Sequence, residues 1–181
     1  ISADLKVKGL IRDFNSLTYS GKAKIHNAGF KDLRLPSVVI DNLSCDITFD
    51  ANKILIETLT ALFNSEQLKG NAVIDSKKIK ADIDLQKYKH NELAIENIKG
   101  KITYSDNVIS SNDLKFNVFR GSVSSKNCKL IFAQKENILN ANCEVKNINI
   151  KQAFKTLDNF SQNVITDKNL EGNLSANGVL N

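Results

Sequence analysis

Apolar and polar residues alternate with a period of two along most of this chain. That is the spacing of strands with one apolar and one wet face, because successive side chains of a strand point to opposite sides. The alternation starts loosely at Leu5, Val7 and Leu10, passes through Ala23 and Ile25, and leads from Val38 or Val39 into Leu43, Cys45, Ile47 and Phe49. It continues at Ile54 and Ile56, at Leu59, Ala61 and Phe63, and at Ala72 and Ile74. Its cleanest run sets Ile79, Ala81, Ile83 and Leu85 against Lys80, Asp82 and Asp84. Beyond it come Ile98, Gly100, Ile102 and Tyr104; then Leu114, Phe116 and Val118; then Cys128, Leu130 and Phe132; then Ala141, Cys143 and Val145. Polar turn signals at 50–53, 75–78, 105–107, 124–127 and 135–137 are short enough for hairpins, so a meander of antiparallel strands is predicted.

One stretch breaks the period. In NINIKQAFKTLDNF, Ile150, Phe154 and Leu157 recur at helical spacing behind Asn149, a favourable N-cap. This predicts one short amphipathic helix near 151–160, packed as a lid on one end of the sheet. Strand alternation returns over Leu170–Leu180.

The chain also repeats itself. IDNLSCDITFDANKI, from Ile40, is answered fifty-five residues later by IENIKGKITYSDNVI, from Ile95. Ile40, Asn42, Ile47, Thr48, Asn52 and Ile54 meet identical residues at 95, 97, 102, 103, 107 and 109, and Leu59 then meets Leu114. A four-residue shift sets Gly70 against Gly121. Repetition at such a period is the mark of a sheet lengthened by copying a module. It predicts one β-rich domain over 1–181, with repeat units at about 40–94 and 95–145 and a helix-strand cap at 146–181.

Composition changes this picture little. The 181 residues carry 41% hydrophobic residues, a globular content, and a formal net charge of +5 spread over scattered lysines. No basic stripe with interleaved aromatics occurs, so no nucleic-acid partner is expected. Cys45, Cys128 and Cys143 are an odd set without CxxC spacing and alternate in phase with apolar neighbours, which reads them as small residues of the apolar face. His26 and His90 have no ligand-spaced partners and read as solvated; no metal and no cofactor are expected. No nucleophile elbow, phosphate loop, HExxH or paired-carboxylate motif is found, so no enzyme activity is expected. Asn42, Asn159 and Asn173 open N-x-S triplets. The chain begins at Ile1 and contains no methionine, which reads as a fragment of a longer protein.

Leu33 to Asp75, LRLPSVVIDNLSCDITFDANKILIETLTALFNSEQLKGNAVID, resembles the strand module of the AsmA-like proteins, the AsmA/TamB superfamily of Gram-negative envelopes. Val145 to Leu180 is similar to that family's closing strand, short helix and L.G.l...G pattern, with Gly172 and Gly178 in place. The likeness spans roughly 33–181 and rests on diffuse apolar positions. It implies a mostly β fold, an elongated, curled antiparallel meander forming a taco-like groove or open sandwich. It also implies a periplasmic segment of a protein anchored in the inner membrane by an N-terminal helix that this sequence lacks. Its implied role is non-catalytic phospholipid transport between membranes and outer-membrane biogenesis. The implied partners are phospholipid or another acyl-chain lipid, the membrane, and other envelope proteins. The expected groove-lining residues are Leu43, Cys45, Ile47, Phe49, Ile83, Leu85, Ile98, Ile102, Tyr104, Leu114, Phe116 and Val118. The same periodicity suits a closed β-sandwich acting as an envelope scaffold or interaction domain, because two sheets packed about 10 Å apart also need one apolar face per strand.

Overall fold

The computed structural model describes residues 1–8, 18–31, 38–133 and 137–180. Leu10, the stretch 33–37 of the family likeness, and residues 135 and 136 of the last turn signal lie outside them. The strands are β1 (Ser2–Lys8), β2 (Thr18–Lys31), β3 (Val39–Asp50), β4 (Lys53–Phe63), β5 (Glu66–Asp75), β6 (Lys78–His90), β7 (Leu93–Ser105), β8 (Val108–Ser111), β9 (Leu114–Val118), β10 (Gly121–Phe132), β11 (Asn137–Asn149) and β12 (Asn173–Leu180). They form one twelve-stranded sheet, antiparallel throughout, in sequence order except that β8 and β9 share one position between β7 and β10. The result is a curled meander.

Turn chemistry accounts for the hairpins. Asp50 accepts the backbone N–H groups of Asn52 and Lys53, both at 2.9 Å, closing β3 onto β4. Left-handed backbone at Asn64 and Ser65, at Asp106 and Asn107, and at Phe119 and Arg120 makes the tight turns whose twist matches that of the strands they join. Gly121 opens β10 because a Cβ there would collide with the Lys146 carbonyl of β11.

Bulges explain the richness in asparagine. Asn27, Asn42, Thr58, Asn97, Asn127 and Asn147 all have φ between 51° and 59°, and each sits where the pairing register slips. Asparagine tolerates that left-handed conformation better than most residues. Around five of these bulges the sequence reads IHNA, IDNL, IENI, SKNC and VKNI. The inserted residue resets the alternation, so that Ile40 and Leu43, or Ile95 and Ile98, share a face although three apart. It also bends the strand, which a curled sheet requires.

The repeat is present in the pairing itself. Phe49↔Ile54, Thr48↔Leu55, Ile47↔Ile56 and Ile40↔Phe63 in β3–β4 recur, fifty-five residues on, as Tyr104↔Ile109, Thr103↔Ser110, Ile102↔Ser111 and Ile95↔Val118. The same offset carries Ala61↔Leu68 onto Phe116↔Val123 and Leu59↔Gly70 onto Leu114↔Ser125. Gly70 therefore corresponds to Ser125, and no four-residue shift is needed to continue the match.

Other expectations are corrected as well. Ser124–Asn127 is no turn but lies within β10, its asparagine a bulge; the turn is at Phe119–Arg120. The helix α1 (Ile150–Thr156) is shorter than 151–160. Asn149 caps its start by accepting the Gln152 N–H at 2.8 Å, but left-handed backbone from Asp158 to Ser161 stops it and folds a 3-10 turn. Strand β12 likewise starts at Asn173 rather than Leu170. The boundary at 145/146 falls inside β11.

Candidate functional site: an open apolar face

Directly paired residues of a sheet share a face, so the register maps the two sides. One side carries Leu5 and Val7 of β1, Ala23 of β2, Ile47 and Phe49 of β3, and Ile54 and Ile56 of β4. It continues through Ala72 and Ile74, Ile79 to Leu85, Ile98 to Tyr104, Ile109, Leu114 to Val118, Val123 to Leu130, Leu139 to Val145, and Ala176 to Leu180, taking alternate residues of each strand. The apolar side is thus continuous from the first strand to the last. The other side is mostly polar, with Leu55, Val73, Val108, Ile131 and Ile138 as its apolar members, and is crossed by ion pairs between facing residues: Lys24–Asp46 at 3.2 Å, Lys87–Glu96 at 3.3 Å and Lys99–Asp84 at 2.9 Å. Asp82 and Asp84 belong there, facing Lys101 and Lys99.

All twelve groove positions expected from the sequence lie on the apolar side, in four strands, β3, β6, β7 and β9. Cys45 is buried and the other eleven are half-buried. Sequence reasoning missed the lining residues of β10–β12, chiefly Val123, Ala141 and Leu180. The false turn at 124–127 had split β10, and nothing in the sequence shows that β12 lies beside β11.

Among the described residues no sheet lies opposite this face. Among the described residues the only buried apolar side chains are Cys45, Ala61, Ala141, Ile148 and Ala153, and no side chain is fully buried. A closed sandwich interior would bury its Ile, Leu and Phe side chains, whereas here Phe30 is 56% exposed and Leu139 46%. Where β9 to β12 curl together, the face deepens into a trough of about 450 Å³ lined almost wholly by apolar atoms, including Leu114, Phe116, Val123, Ala141 and Leu180. Small residues make its floor: Ser125, which is 4% exposed and donates its hydroxyl to the Asn142 carbonyl at 3.1 Å, together with Cys128, Cys143 and Gly178.

The three cysteines are free thiols. Burial, and then the Asp46 carboxylate, push the Cys45 thiol above its ordinary pKa; burial, and then the neighbouring Cys143, do the same at Cys128. Raised values keep these sulfurs neutral, as an apolar lining requires. Both histidines are exposed, His26 beside the β2 bulge and His90 at the end of β6. Among the described residues no three His, Cys, Asp or Glu side chains gather as a metal site, and no helix is long and apolar enough to cross a membrane. What the arrangement offers chemically is surface: a long apolar strip with a deep end. Comparison with protein-family models, curated proteins and solved structures finds no match for the chain.

Proposed function

We propose that the apolar side of the sheet binds acyl chains, and that the chain is a non-catalytic lipid-binding and lipid-transfer segment. The observation that carries this reading is a continuous apolar face, twelve strands long, with no sheet opposite it among the described residues. Eleven strand positions at about 4.8 Å give a strip on the order of 50 Å, long enough to hold an extended tail. At about 0.8 kcal/mol per CH₂, a tail of about 16 carbons costs around 13 kcal/mol when exposed to water. An apolar strip removes most of that cost, so a lipid can pass from bilayer to groove almost isoenergetically; direction needs a free-energy source outside the sheet. Together with the AsmA-like pattern of the sequence, this supports phospholipid transport between envelope membranes and a role in outer-membrane biogenesis. In that role the segment works in the periplasm as part of an inner-membrane-anchored protein.

The test is native mass spectrometry with lipid extraction on protein purified gently from a bacterial host. Phospholipid is expected to copurify, and to be lost from Ile102→Asp and Phe116→Asp variants that keep the wild-type strand signal in circular dichroism. Ile102 lies on the apolar side between Ala81 and Ser111, and Phe116 faces Val123 in the trough. A lipid-free mass with no uptake of a fluorescent fatty acid sinks the proposal and leaves a structural scaffold or interaction domain of the envelope.

A further inference from the structure

Between β11 and β12 the chain leaves the sheet at Asn149 and re-enters at the residue paired with it, Asn173, just beyond the apolar-side pair Ile148↔Leu174. The excursion exposes aliphatic and aromatic side chains at its tip: Val164 is 91% exposed, Phe160 56% and Ile165 50%. Single exposed apolar residues are ordinary, but three within six positions on one turn are not.

The turn is also built to hold that exposure. Phe160 stacks edge-on against Phe154 of α1 with ring centroids 5.0 Å apart, and Ala153 of the same helix is buried. The Gln162 carboxamide accepts the backbone N–H groups of both Val164 and Ile165 at 2.9 Å, and its own NH₂ donates to the Ile165 carbonyl. Asn159 accepts the Asp167 N–H at 2.7 Å, and the N–H groups of Phe160, Gln162 and Asn169 bond to carbonyls within the same excursion. Four of the six amides over 160–165, those at 160, 162, 164 and 165, are thus taken up within the excursion.

That combination selects the occupant. A peptide strand docks by exchanging backbone hydrogen bonds, and these donors are already taken. Hydrocarbon offers no hydrogen bonds, so a loop enters it only when its own are satisfied internally. The charges of the excursion balance, Lys151, Lys155 and Lys168 against Asp158, Asp167 and Glu171, so attraction to anionic headgroups is not what the turn is built for. We infer that the 157–165 turn is a membrane wedge: Phe160, Val164 and Ile165 insert into the acyl-headgroup boundary of a bilayer and set one rim of the apolar face against it. This rests on the lipid-groove reading, for which it supplies the point of entry.

The chain contains no tryptophan, so a single Trp is an unambiguous reporter. With phosphatidylcholine vesicles, Val164→Trp is expected to blue-shift and to be quenched by brominated acyl chains, with little loss when salt is raised to about 0.5 M. Ala51→Trp, in the β3–β4 turn at the opposite rim, is expected to do neither. Val164→Asp with Ile165→Asp is expected to reduce vesicle cosedimentation at least about tenfold while keeping the wild-type strand signal in circular dichroism, since both side chains are at least half exposed. An absent shift, a shift that follows protein concentration without vesicles, or an equal response at Ala51→Trp overturns the wedge. If the shift is absent while phospholipid still copurifies, the wedge fails and the groove stands. A shift in protein that never carries lipid sinks the groove and leaves the wedge.

Discussion

The β3–β4–β5 unit and the β7–β8/β9–β10 unit share one pairing register and differ in nearly every contact that register makes. Asn42 and Asn97 occupy the same bulge, at φ 52° and 53°. One step further, β4 absorbs an extra residue as a left-handed Thr58, while at the equivalent place the second unit breaks the strand at 112–113 into β8 and β9. A cross-strand link spans this point in both units with its polarity reversed. The Thr58 hydroxyl donates to Asp46 at 2.9 Å, and in the second unit the Lys101 N–H donates to Asp113 at 2.8 Å. On the apolar side Ile56 is answered by Ser111 and Ala61 by Phe116. The copies thus keep the positions where the backbone must bend and be tied, and vary the side chains that fill the face.

If bulges set the register, removing one has the largest effect. Deleting Asn97 leaves Ile98–Tyr104 in place but turns Leu93 and Ile95 to the wet side, because a one-residue slip inverts a strand. At roughly 1.5–3 kcal/mol for each large apolar side chain taken out of contact, halved for their half-buried state, a loss of about 1.5–3 kcal/mol is expected in urea titration. An unchanged midpoint would mean that the apolar residues, and not the bulge, fix the pairing. Keeping the residue but changing its backbone preference has a smaller effect. Asn42→Val and Asn97→Val are each expected to cost about 1–2 kcal/mol, and the glycine substitutions far less, since valine resists left-handed backbone and glycine does not.

The same logic separates what was legible in the sequence from what was not. The period-two signal carried the strands and the face of each residue, so all twelve groove positions fell on one side. The fifty-five-residue repeat carried the hairpin register. Bulges were hidden because an asparagine between apolar runs looks like a turn residue, and at Ser124–Asn127 it was read as one, although Asn42 and Asn97 carry the same residue inside strands. Helix α1 was legible from Asn149, Ile150 and Phe154, but its end was not: nothing marks Asp158 as left-handed before Gln162 and Asn159 are seen tying the turn together. The openness of the face depends on whether a second sheet covers it, and alternation is blind to that.

The Thr58–Asp46 link makes the stability of the first unit depend on acid. Thr58, then Lys24, hold the Asp46 carboxyl below its ordinary pKa. A depressed folded-state pKa contributes stability above the unfolded value that is lost as pH falls through the folded one. Thr58→Val and Lys24→Gln are therefore expected to narrow the gap between the stability at neutral pH and that below about pH 4, with hydrogen exchange of β3–β4 amides as the readout. Acid titrations of variant and wild type that differ by a constant offset at every pH would show that Thr58 acts by shape alone.

The smallest expected effect lies on the wet side of the second unit. Lys99 meets Asp84 at 2.9 Å, with both side chains about half exposed, and its counterpart in the first unit is the uncharged Ser44. Converting one unit toward the other by Lys99→Ser is expected to cost no more than about 0.5 kcal/mol, because an exposed pair gains little from Coulomb attraction after ordering two long side chains. Much of that cost should disappear at about 1 M salt, where the screening length falls to about 3 Å. A loss above about 1 kcal/mol, or one that salt leaves intact, would mean that the lysine stem packs along the strand and that the wet side helps hold the register.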